Sequence, residues 1–152
     1  MGIEINRILK QFAALHNGDC WIGTSFKDTF HGIDAVLAAK PAIKSSNTIW
    51  QITAHIIYWR ATVTNRLSGN ANPPPFRDFL LPDELSESNW KQTLHDFEAA
   101  YRLLRNAIHN IKDENLDKLT LKPSQTYYDL IIGCLQHDAY HLGQLRLLKN
   151  NF

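Results

Sequence analysis

The sequence predicts an all-α protein, a four-helix bundle with a long proline-rich crossover between its second and third main helices. Three observations predict it. Apolar residues recur at steps of three and four in four long segments, as on a helix with one buried face. Those segments are bounded by glycine, proline and capping residues. No stretch shows the apolar–polar alternation of a half-buried strand, and there is no internal repeat.

In the first segment Ile5, Ile8, Leu9, Phe12 and Ala13 form the stripe and Gly18 supplies the stop. Trp21 to Pro41 is less regular. Ser25 and Asp28 form a capping box for a short helix through Phe30 that Gly32 ends, and Asp34 can cap one more turn. The second main helix is capped by Asn47 or Ser46, buries Ile49, Ile52, Ile56, Trp59, Val63 and Leu67, and ends at Gly69. Residues 70–87 contain Pro73, Pro74, Pro75 and Pro82, which forbid helix and favour extended backbone. A connection that long in a compact domain often covers a site. The third helix has the seam spacing of a bundle at Trp90, Leu94, Phe97, Tyr101, Leu104, Ile108 and Ile111. A polar link with Pro123 leads to the fourth, which opens on a Thr126–Asp129 capping box. Its inward series is Tyr127, Leu130, Cys134, His137, His141, Leu145 and Leu148.

Composition narrows the function classes. At 152 residues the chain suits one domain, 1–152, able to bury roughly 68–70% of its unfolded surface without staples. The formal net charge is +1 and the basic residues are dispersed, so no stripe exists to engage phosphates and nucleic acid is not an expected partner. No apolar run approaches the ~18 residues of a membrane span. Glu4, Arg7 and Lys10 mark the start of the chain as a helix instead of a signal peptide. Cys20 and Cys134 make no framework and are expected as reduced thiols in a cytoplasmic protein.

The chemistry lies with histidine. His137 and His141 are one helical turn apart, so both imidazoles leave the same face. Such pairs arise by accident on many helices. Here both positions fall in the apolar stripe, where two unpaired imidazoles are costly to bury and a shared cation removes that cost. His55 lies between Ile52 and Trp59 and also points inward, either as a satisfied core residue or as a third ligand. Three imidazoles would leave a coordination position open, as catalytic sites do. His16 extends the first stripe and is expected as a polar cap. His95 and His109 fall off the seam of the third helix, His31 sits in a turn, and Cys134 reads as a small buried thiol. The run from His137 to His141 departs from H-E-x-x-H by carrying Asp138, and no His, Asp or Glu follows to complete a protease site. No E-x-x-H pair exists for a di-iron bundle.

Two runs carry a resemblance, Ser46 to Arg60 (SNTIWQITAHIIYWR) and Thr126 to Leu148 (TYYDLIIGCLQHDAYHLGQLRLL). With the Gly18–Gly23 turn and the proline-rich crossover, they resemble the DinB-like superfamily of helical-bundle metalloproteins, and H-x-x-x-H-x-G-Q at His137 to Gln144 is the most specific part. The resemblance implies three histidines on one divalent ion, zinc or nickel, and carries that role onto His55, His137 and His141. It also implies, from some relatives, thiol-dependent transferase or isomerase activity with bacillithiol, mycothiol or glutathione. The leading expectation is therefore a metal-dependent transferase of a low-molecular-weight thiol, with Tyr140, Gln144 and Trp21 as pocket-wall groups. The alternatives are a non-catalytic bundle stabilised by its metal, or a metal-binding stress or interaction protein that forms a homodimer through an exposed helix face.

Overall fold

The computed structural model describes residues 2–41 and 47–151. Its four long helices are α1 (Ile3–Asn17), α4 (Ile49–Leu67), α5 (Glu87–His109) and α6 (Tyr127–Asn150). Two short helices, α2 (Phe26–Phe30) and α3 (Ala35–Ala39), and one 3-10 turn, Asp113–Asn115, lie in the connections. Among the described residues there is no strand, only an isolated bridge between Leu119 and Thr126. Both α1 and α4 pack against α5 and α6, so the long helices close a ring of four. The short helices fill the gaps, α2 against α1 and α6, and α3 against α4 and α5. No described helix is long and apolar enough to cross a membrane.

Helix starts follow the side-chain oxygens that satisfy the first orphan amides. The Ser25–Asp28 and Thr126–Asp129 capping boxes form as the sequence predicts, and Asp34 caps α3. On α4 the cap is Thr48 in a box with Gln51, not Asn47; Ser46 lies outside the described residues. Helix α1 has no side-chain cap of its own. Instead Asp113, remote in sequence, accepts from the amides of Glu4 and Ile5 at 2.9 and 3.0 Å. These amide bonds hold the Asp113 carboxyl below its ordinary pKa. A Cβ on Gly2 would overlap that carboxylate, so the arrangement needs glycine there.

The core has two apolar blocks. One joins Ile5, Leu9 and Phe12 to Leu104, Ile108 and Ile131. The other gathers Phe26, Trp50, Trp90, Phe97 and Leu142. Both buried indoles have partners, Trp50 Nε1 donating to Thr93 Oγ1 and Trp90 Nε1 to the Ile33 carbonyl, each at 2.8 Å.

Most of the predicted stripe is buried on both α4 (Ile49, Ile52, Ile56, Val63 and Leu67) and α6 (Leu130, Cys134, His141 and Leu145), but the buried face of each helix is wider than that stripe. On α4 Arg60 is buried while Trp59 lies at the flank; on α6 Asp138 is buried while His137 lies at the flank. The two unexpected residues explain each other. Arg60 donates from Nε and Nη2 to Asp138 Oδ2, both at 2.9 Å, with each side chain 1% exposed. Its guanidinium lies 4.2 Å from the centre of the Phe97 ring and 5.1 Å from that of Phe26. His16 joins this interior polar group and is not the polar cap expected at the helix end. It is buried, stacks on Tyr101 at 3.7 Å, and places Nε2 3.0 Å from both Glu98 oxygens. Burial, reinforced by the Arg60 charge, lowers its pKa. The third-helix stripe is also shorter than predicted, because α5 stops at His109, before Ile111.

Candidate metal centre

His55 on α4 and His137 and His141 on α6 meet between two adjacent helices, His141 buried and the other two half-buried. The Nε2 atom of His137 lies 3.2 Å from Nε2 of His55 and 3.1 Å from Nε2 of His141. One ligand atom from each of the three falls within 4.8 Å of the others.

The outer nitrogens decide what the inner ones present. His55 Nδ1 is 2.7 Å from Asp78 Oδ1, and His141 Nδ1 is 2.6 Å from Gln144 Oε1. A carboxylate or amide oxygen accepts only, so each of these rings donates from Nδ1 and keeps a lone pair on Nε2. Lone pairs this close repel one another in the absence of a cation. The donor set therefore fits a divalent ion. Tetrahedral zinc with Zn–N of about 2.0–2.1 Å would set neighbouring nitrogens roughly 3.3 Å apart, close to the spacing here. Outer partners of this kind also orient ligand rings. His137 Nδ1 has no protein partner and lies 3.9 Å from the equally unpartnered Asp138 Oδ1.

Asp78 and Phe79 bring the crossover onto the site. The Phe79 ring stacks on His55 at 4.1 Å, and its own amide donates to Asp78 Oδ1 at 2.8 Å. Phe79 has φ of 54°, unusual for a bulky residue, at the point where the chain turns to seat both side chains. The crossover thus reaches His55 through Asp78 and Phe79, two residues that no sequence signal singled out.

Burial lowers the His141 pKa to about 4, the largest influence, and the neighbouring His137 and His55 act in the same direction. A cavity of about 430 Å³ adjoins the cluster, walled by Trp59, Val63, Arg66, Leu130 and Cys134. Its polar rim includes Tyr140, 64% exposed, whose hydroxyl accepts from Gln144 Nε2 at 3.1 Å. Of the expected pocket-wall groups, Tyr140 lines this cavity and Gln144 holds His141. Trp21 is fully exposed and does not line it. Cys134 is a buried free thiol with a pKa raised by burial, and Cys20 is also free. His31, His95 and His109 are exposed. A separate hollow of about 350 Å³ between α4, α5 and the crossover contains no histidine.

Fold and site together define a class: an all-helical bundle with three imidazoles converging between two adjacent helices. The pattern of the DinB superfamily matches residues 28–145, which include all three histidines and both outer oxygens, and the chain belongs to that superfamily. No curated protein and no solved structure matches it. Family and cluster together fit a metal-binding helical protein.

Proposed function

We propose that the protein binds one divalent ion, zinc or nickel, through Nε2 of His55, His137 and His141 and acts as a metal-dependent transferase of a low-molecular-weight thiol. The observation that carries this reading is the convergence of three imidazole nitrogens at 3.1–3.2 Å beside an open cavity. When bound, the ion would lower the pKa of a substrate thiol and favour its thiolate for attack on an electrophile. The sulfur would form the new bond, its proton passing to solvent, while the electrophile's leaving group departs with the electron pair. Asp78 and Gln144 hold two rings in the ligating tautomer. Trp59, Val63 and Leu130 keep the cavity wall apolar, which limits competing water. The Tyr140 hydroxyl accepts from Gln144 and keeps its own hydrogen for a ligand.

Elemental analysis of protein purified without an affinity tag tests the metal. One equivalent, lost on His137→Ala, is the expected result. Assays with low-molecular-weight thiols and a broad panel of electrophiles test the reaction. No rate above that of the triple-histidine variant would sink the transferase reading and leave a bundle whose metal serves stability alone.

A further inference from the structure

We infer that Arg66 reads a carboxylate on the substrate, so that the cavity takes a thiol with an apolar middle and an anionic far end. This inference rests on the metal and thiol reading above. Arg66 is the one residue with a fixed charge among those lining the cavity beside the histidines. It stands eleven residues after His55, about three turns or roughly 16 Å along α4, which returns it to nearly the same helix face. Its guanidinium lies 6.0 Å from the centre of the Trp59 ring, and that ring lies 5.9 Å from the centre of His137. The two separations bound the distance from the guanidinium to the His137 ring at about 12 Å.

Among the described residues Arg66 forms no ion pair, although it is half-buried. The same cavity is lined by Trp59, Val63 and Leu130, apolar side chains whose low-dielectric surface strengthens attraction to an anion. Arg66 also borders a smaller hollow beside Thr120 and Lys122. One guanidinium matches one negative charge and offers two parallel N–H groups, which suits a carboxylate. A cation in the last turn of α4 also favours the helix dipole, but that role affects stability and not the choice between ligands.

A set of four probes separates the two ideas: mercaptohexanoate, mercaptohexanol, hexanoate and hexanol, titrated calorimetrically into metal-loaded protein. Each carboxylate is expected to bind about tenfold more tightly than its alcohol, the scale of one charge-assisted hydrogen bond. Arg66→Gln should bring that ratio near unity, and Arg66→Lys should retain part of it, with metal content unchanged in both. A ratio near unity in the unaltered protein, a ratio that survives Arg66→Gln, or no binding by either carboxylate overturns the inference. The thiol reading fails on a different contrast, when the thiols bind no better than their sulfur-free counterparts.

Discussion

Arg60→Met tests how far this bundle depends on an ion pair in its interior. The substitution keeps most of the apolar stem but leaves the Asp138 carboxylate, 1% exposed, without the two N–H donors now at 2.9 Å. Its other oxygen already lacks a partner. Removing one member of a buried pair typically costs about 3–5 kcal/mol, because the other charge stays desolvated. At about 2–4 °C per kcal/mol for a chain of this size, Tm should fall by roughly 6–20 °C. Asp138→Asn should do less harm, on the order of 1–3 kcal/mol. The guanidinium would keep an amide oxygen acceptor and its contacts with Phe97 and Phe26. The double variant Arg60→Met, Asp138→Leu should recover most of the loss, since no uncompensated charge remains. Urea unfolding of metal-free protein, followed by far-ultraviolet circular dichroism, measures all three without linkage to metal. The reasoning is refuted by an Arg60→Met loss below about 1 kcal/mol, or by a double variant less stable than Arg60→Met alone.

Three further outcomes are expected. Asp78→Ala removes the acceptor that orients His55 and should weaken metal binding about 10–100-fold by competition with a chelating dye, whereas unchanged affinity would show that His55 is held by packing alone. In metal-free protein the His141 ring should titrate near pH 4 by NMR, well below the ordinary value of about 6.5. The unfolded chain then binds a proton that the native state refuses, so His141's contribution to stability is present above about pH 6.5 and is lost as pH falls toward 4. A midpoint at or above 6 would contradict the burial seen here. Gly2→Ala should displace Asp113 and fray the start of α1, read as faster hydrogen exchange at the Glu4 and Ile5 amides with the rest of the bundle unchanged.

The Ser25–Asp28 and Thr126–Asp129 boxes were legible because a cap and its partner are three residues apart in any helix start. The pair His137 and His141 was legible for the same reason, one turn being four residues in any α-helix. His55 was a weaker inference from inward placement, and family resemblance carried its role as a ligand. Asp78 was not legible. Its contact with His55 depends on where an irregular crossover with one positive φ, at Phe79, returns to the bundle. His16 was misread because its position at a helix end says nothing of α5, whose Tyr101 and Glu98 receive it.

The sequence by itself determined the four long helices, most of their ends and the histidine pair on α6, since each follows from interactions within a few residues. Only the tertiary structure decided which polar groups each helix buries beside its apolar stripe. Periodicity left Arg60 and Asp138 outside the inward stripes, and the ion pair that satisfies both joins residues 78 apart in sequence. Arg60 and Asp138 are buried together, while His55 and His137 stay half-buried. The packing of α4 against α6 sets three imidazoles beside a cavity.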